Sequence, residues 1–324
     1  MTLAPLVPMV LAVALDLALG DPPNRAHPVA WIGSGLIAAR RRLPKRGRLV
    51  PFLAGAGLMV VAVGGAWGAG RLLDRGIAAL PRPVGWAAEA VALKLLFSIR
   101  GLIRAAGLVA DALRRGDLAA ARSLAAWHLV GRPTADLDEP RVAAAAIESV
   151  AENASDGVVA PLLFYAIGGL PAALAYRAIN TADSVLGHRD AGREWLGKVP
   201  ARLDDLANLA PARLAAIGFV WAAPGVGGSV AGAARAWWRD RHATASPNAG
   251  HPMAAAAGAL GVELEKVDHY RLGAGLRLPW AADVDRAVRL LLVMLALGAV
   301  PLGALRLWIV NFQPPAGGVA AWAP

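Results

Sequence analysis

Residues 50–70 read VPFLAGAGLMVVAVGGAWGAG and contain no Asp, Glu, Lys or Arg. A helix rises 1.5 Å per residue, so ~20 apolar residues cross the ~30 Å of bilayer hydrocarbon. This stretch is therefore read as a membrane span. Its glycines at 55, 57, 64, 65 and 68 are small enough to let neighbouring helices approach closely in lipid. Outward from it, four more apolar windows stand at 3–19, 158–176, 206–226 and 287–310. The chain is 57% hydrophobic and 17% charged, where a soluble domain carries roughly a quarter charged residues. Apolar and polar windows alternate throughout. The expected fold is an all-α, polytopic integral membrane helical bundle forming one unit over residues 1–324. About five membrane segments are expected, some broken or re-entrant, with amphipathic helices beside them.

The windows differ in quality. Window 287–310 has charges only at Arg289 and Arg306, near its ends, where long side chains snorkel. Window 158–176 contains Pro161, Gly168, Gly169 and Pro171, and is expected to break or turn back. Window 206–226 carries Pro211 and Arg213 near its start, which suggests entry from a polar interface. Residues 87–113 read as one helix bearing Lys94, Arg100 and Arg104, either interfacial or spanning. The N-terminus lacks a basic leader and holds Asp16 in its apolar stretch, so it reads as a retained first span. Residues 21–49 hold Arg25, Arg40, Arg41, Arg42, Lys45, Arg46 and Arg48 against Asp21 alone. The positive-inside rule puts that loop in the cytoplasm and the N-terminus outside. The same rule accounts for most of the net charge of +10, and no nucleic-acid partner is expected. Cysteine is absent, which excludes disulfides and thiolate chemistry.

Polar constellations cluster at the window edges. In 148–157, ESVAENASDG, the acids Glu148, Glu152 and Asp156 recur every four residues and would share one face of a continuing helix. No cation in the stretch pairs them, so Mg²⁺ or a distant Arg should lie opposite; the plainer alternative is a solvated helix end. Residues 176–184, YRAINTADS, offer Arg177 for a phosphate or carboxylate, and Asn180 and Asp183 as oxygen donors, or else an ordinary interfacial cap. Residues 201–213, ARLDDLANLAPAR, put Asp204 and Asn208 on one face with Asp205 beside them; pairing to Arg202 or Arg213 is the structural alternative. Residues 246–252, SPNAGHP, form a tight loop before an Ala-rich helix whose N-terminus can receive an anion, or simply turn the chain. Asp16, Asp21 and His27 make a fifth group, in which His27 alone would more often be a capping residue. The stretch 192–199, GREWLGKV, mimics a phosphate loop, but Val199 replaces the required hydroxyl and no strand precedes it.

In order along the chain, LDLALGDPP (15–23), HPVAWIG (27–33), ESVAENASDGVVAPLLFYAIGGLPAALAYRAINTADS (148–184), ARLDDLANLAPARL (201–214) and SPNAGHPMAAAAGALGVELE (246–265) are followed by Tyr270 and Gly273. Together they resemble the adenosylcobinamide-phosphate synthase family, membrane-bound amide-forming enzymes of cobalamin biosynthesis. Val185, Leu186 and His188 stand where that family more often shows Met, Val and Tyr, and His251 where an aromatic residue is expected. The resemblance implies ATP- and Mg²⁺-dependent condensation of a corrinoid acid, adenosylcobyric acid, with (R)-1-aminopropan-2-ol phosphate or aminopropanol. On that reading Glu148, Glu152, Asp156, Asp183 and Asp204 are the catalytic pool, and Glu148, Glu152, Asp156 and Asp205 the metal pool. Arg177, Arg202, Arg213, Asn153, Asn180, Asn208, Asn248 and His27 are the pool for substrate and phosphate. Expected partners are nucleotide, corrinoid, the amino-alcohol phosphate and membrane lipid, with a homo-oligomer or other pathway enzymes as protein partners. The expected location is the inner membrane, with the site facing the cytoplasm. A corrinoid transporter, a Mg²⁺-dependent prenyl-type transferase and a non-catalytic sensor are the competing readings.

Overall fold

A computed structural model describes residues 3–44, 46–130, 134–187 and 194–312. Lys45, His188 and the start of the phosphate-loop mimic, Gly192 and Arg193, lie outside the described residues. The order is α1 (Val7–Leu19), α2 (Pro28–Arg42), α3 (Leu49–Ala78), α4 (Arg82–Lys94), α5 (Ile99–Arg114), α6 (Leu118–Ala125), α7 (Glu139–Asn153), α8 (Ala160–Leu186), α9 (Lys198–Ala207), α10 (Leu209–Ala222), α11 (Val230–Asp240) and α12 (Gly250–Leu260). A short antiparallel hairpin, β1 (Leu264–Lys266) and β2 (Tyr270–Leu272), precedes the last helix, α13 (Ala281–Phe312). The chain is thus an almost wholly helical bundle, as its composition leads one to expect.

Among the described residues, four helical stretches are long and apolar enough to cross a membrane: Leu49–Ala78, Glu139–Leu186, Leu209–Val226 and Ala281–Asn311. The apolar window at 3–19 is helical too, but Ala4–Leu19 is shorter than a full span. α3 and α13 turn most of their apolar surface outward, whereas the window within Glu139–Leu186 is mostly covered by protein. That distinction follows from a break in α8. Gly168 (φ −135°, ψ 19°) and Gly169 (φ 66°, ψ −159°) leave helical geometry, and Pro171 follows them. The conformation of Gly169 is one that essentially only glycine adopts. The rings of Phe164 and Tyr176 stack with centroids 4.9 Å apart. Twelve residues of straight helix would separate them by about 18 Å. The Tyr176 hydroxyl also donates to the Asp156 carbonyl at 2.9 Å. The α8 segment is therefore a helical hairpin, and window 158–176 goes in and comes back out, as its Gly and Pro content leads one to expect.

The hairpin tip rests on α3. A Cβ on Gly70 would lie within the Pro171 backbone, so the two chains touch there main chain to main chain. Gly55 has the same relation to the Leu196 carbonyl, but Gly57, Gly64, Gly65 and Gly68 face open space. Of the five glycines read as packing residues, Gly55 alone packs.

The stretch 87–113 is not one helix, which corrects the reading of it as a single interfacial or spanning segment. It breaks at 95–98 into α4 and α5, and the reason lies in α1. Asp16, fully buried, accepts the backbone N–H groups of Ile99 and Arg100 at 2.9 Å each and so caps the start of α5 from another helix. Lys94, also buried, stands 3.8 Å from the same carboxylate. α5 then buries Ile99, Leu102, Ala105, Ala106 and Val109 in the protein core and is not a lipid-facing element.

Candidate active site

The hairpin places its two open ends beside each other, and the polar motifs stand there. The chain widens from α7 into a π-helical turn at Ala154–Val159, a distortion that often marks functional positions. It delivers Asp156 and Gly157 into a cavity of about 550 Å³, with Glu152 and Asn153 one turn earlier. The returning arm contributes Arg177, Asn180, Asp183 and Ser184 from one helix face, and α9 contributes Asp204. The far wall comes from Asp21 and His27 after α1, from Phe97 and Ser98 in the α4–α5 break, and from His128 in a second π-helical turn, Ala126–Val130. Four sequence motifs spread between Asp21 and Asp204 thus share one hollow.

Its polar wall is tied together. Arg177 donates to Asn180 Oδ1 at 3.0 Å, and Asn180 Nδ2 donates to Asp204 Oδ1 at 3.2 Å. The buried Nε of Arg177 has no hydrogen-bond partner among the described residues. Burial raises the pKa of Asp204, and neighbouring Asp205 adds to this; the Asn180 bond and the charge of Arg177 oppose it. On the far wall, burial pushes Asp21 upward, but bonds from His27, Ser98 and Lys94 outweigh it and hold the carboxyl well below its usual range. Lys94 Nζ stands 3.0 Å from Asp21 Oδ1, the Ser98 hydroxyl donates to Oδ2, and His27 Nε2 lies 3.7 Å from Oδ1.

Five carboxylates and one guanidinium line the cavity, so full ionisation of its acids would call for a cation among them. The donors are all oxygen apart from two imidazoles, which suits Mg²⁺. Among the described residues no three acids or histidines stand close enough to hold an ion by themselves. That donor set fits an ion that keeps one or two protein carboxylates and completes its shell with water and substrate phosphate oxygens.

Several expected site residues lie elsewhere. Glu148 is buried and does not line the cavity, so only Glu152 and Asp156 of the three spaced acids reach it. The α-helical spacing that would align all three ends at the π-turn. Asp205 turns away and pairs with the exposed Arg202 at 3.2 Å, the structural alternative for that motif. Asn208 accepts the Tyr176 hydroxyl at 2.8 Å, bracing the hairpin against the α9–α10 junction. Asn248 donates to the Asp205 carbonyl at 2.7 Å and accepts from Arg213 at 3.3 Å. The amides of Asn248 and Ala249 are taken by Ser246 Oγ, so that loop supports α9 and caps its own turn. Asp21, Ser98, Ser184 and His128 line the cavity although the expected pool lacks them. Asp21 stands in a quoted motif; Ser98 and His128 are single polar residues flanked by apolar ones and carry no spacing signal.

Residues 9–291 match a family model described as CobD/Cbib protein. The chain is 42% identical over 268 residues to a cobalamin biosynthesis protein CobD of Dehalococcoides mccartyi, covering 83% of this chain and 86% of that one. It is 45% identical over 266 residues to the Geobacter metallireducens protein of the same name, covering 81% and 82%. With the Klebsiella pneumoniae protein the identity is 37% over 317 residues, covering 93% and 97%. No solved structure matches the chain.

Proposed function

The chain belongs to the CobD/Cbib protein family, and from that membership we propose that it works in cobalamin biosynthesis as an ATP- and Mg²⁺-dependent amide ligase. It would join adenosylcobyric acid to (R)-1-aminopropan-2-ol phosphate, giving adenosylcobinamide phosphate, or to aminopropanol, giving adenosylcobinamide. The observation that carries this reading is the convergence of Glu152, Asp156, Arg177, Asp183 and Asp204 on one cavity at the open end of the α8 hairpin.

A carboxylate is a poor acyl donor, and activation as a mixed anhydride with a phosphate of ATP makes it a good one. Mg²⁺ would neutralise phosphate charge, held by carboxylates drawn from Glu152, Asp156, Asp183 and Asp204. Arg177, fixed by Asn180, presents a donor fork to phosphate or to the substrate carboxylate. A corrin ring with its amides is far larger than the cavity, so the ring would stay outside and only the reacting side chain would enter. The site would face the cytoplasm, where ATP is found.

The break in α8 also favours a second reading, since transporters use interrupted helices. In those the binding site sits at the break, whereas here the cavity lies at the opposite end of the hairpin. One assay separates the two. Protein purified in detergent receives adenosylcobyric acid, aminopropanol phosphate and Mg-ATP, and the corrinoid product is weighed by mass spectrometry. The condensed amide is expected; no amide, together with corrinoid uptake into proteoliposomes, would establish the transporter.

A further inference from the structure

The far wall of the cavity contains a chain of fixed charges that the carboxylate wall does not need. It starts in the core at Asp16, which is held by two backbone amides, and passes through buried Lys94 at 3.8 Å. Lys94 holds Asp21 at 3.0 Å, and the Ser98 hydroxyl takes the other oxygen of that carboxylate. Asp21 is thereby prevented from turning, and Oδ1, the oxygen that Lys94 holds, lies 3.7 Å from His27 Nε2. That is long for a hydrogen bond, as such pairs often are before substrate binds. His27 stands at the N-cap position of α2, its side chain making no capping bond, and is largely enclosed. An ionised carboxylate beside Nε2 favours the tautomer with its proton there and leaves the lone pair on Nδ1. Nδ1 has no hydrogen bond among the described residues. The other titratable groups around the cavity are Glu152, Asp156, Asp183, Asp204, His128 and Arg177, with Lys94 and Asp16 behind Asp21.

We propose that Asp21 and His27 form the proton-transfer pair of the amide-forming step, with His27 as general base and Asp21 as its positioning residue. This rests on the amide-ligase reading above. An amino alcohol arrives as its ammonium form and gives up two protons on becoming an amide. One passes to His27 Nδ1, freeing the nitrogen lone pair. That pair forms the C–N bond at the activated acyl carbon, the C–O bond to phosphate breaks, and its electrons leave with the phosphate, which carries the second proton away. A neutral imidazole suits a phosphorylated amine better than a sixth carboxylate would, because it does not repel the phosphate. Once protonated, it is stabilised by Asp21, and general-base groups of this kind contribute ~10²–10⁴-fold.

The test compares two nucleophiles on the wild type, His27→Gln and Asp21→Asn, each supplied with adenosylcobyric acid and Mg-ATP. Aminopropanol phosphate needs a base; hydroxylamine, neutral at pH 7, does not. In His27→Gln, amide formation should fall by ~10²-fold or more while hydroxamate forms within a few-fold of wild type. Asp21→Asn should show a smaller loss of the same kind, and His27→Asn repeats the test if the first variant does not accumulate in membranes. Equal loss of both products, or loss of neither, overturns the proposal. A wild type that makes no amide and no hydroxamate overturns the ligase reading itself, and this proposal with it.

Discussion

Asp156, Asp183 and Asp204 are the residues on which the ligase reading is most exposed. Each faces the cavity from a different element, and replacement by Asn keeps the shape while removing the charge. Each variant should lose ~10²-fold or more in product formation, as positioned electrostatic groups generally do. Full turnover in all three, with normal protein levels in membranes, would remove the carboxylates from the chemistry. Glu148→Gln and Arg202→Ala should instead change rate little, because neither side chain lines the cavity. His251 makes a different prediction. Its Nδ1 accepts from Trp237 at 3.0 Å, and burial together with Arg213, His242 and Arg241 lowers its pKa from 6.5 to about 4. The fold therefore favours the neutral ring: the stabilisation is complete above pH 6.5 and is lost as pH falls from there through 4. Melting temperature in detergent should drop by a few degrees across that window, and His251→Phe should flatten the dependence. At this scale the sequence exposed acids that recur at helical spacing and concealed single residues such as His128. It also could not separate Asp204 from Asp205, since adjacent helical residues point about 100° apart and only the packing of α9 decides which one faces inward.

The α8 hairpin is the element that makes one site out of separate motifs. Its turn tolerates almost no side chain: Gly169 has φ 66°, and Gly70 on α3 lies against the Pro171 backbone. Gly169→Ala should destabilise by about 1–3 kcal/mol through backbone strain. Gly70→Val should lose a similar ~1–3 kcal/mol through overpacking, and since both displace the tip, activity should fall with stability. Gly64→Ala on the same helix should do neither, because a Cβ there meets nothing within 4 Å. Thermal unfolding of the three variants side by side reads the contrast directly. The turn was legible because Gly168, Gly169 and Pro171 interrupt an otherwise apolar run. The α4–α5 break was not, since Leu95–Leu96–Phe97–Ser98 contains no Gly or Pro; it is imposed from outside, by a carboxylate on α1 that takes the amides of Ile99 and Arg100.

Across the whole molecule, the hairpin resolves a conflict in counting crossings. A literal reading of five spans would put the Glu152 and Asp204 motifs on opposite sides, yet they meet in one cavity because window 158–176 returns to its starting level. The absence of native cysteine allows a direct check. Asn24→Cys and Arg202→Cys should react with an impermeant maleimide from the same side of the membrane, and Ala79→Cys, at the far end of α3, from the other. Labelling of Asn24 and Arg202 from opposite sides would refute the one-face arrangement. The cap that Asp16 places on α5 has a further consequence, in the order of biogenesis. Its backbone partners lie 83 and 84 residues downstream, so the ribosome delivers α1 to the bilayer well before the groups that neutralise its acid exist. An unpartnered Asp opposes insertion by up to ~2.5–3.5 kcal/mol at the centre of a span and by less at Asp16, three residues from the end of α1, but α1 is short besides. The first helix should therefore reach its final depth only after α4 and α5 emerge. Nascent chains arrested before residue 94 should leave the N-terminus open to protease, and chains arrested well past α5 should protect it.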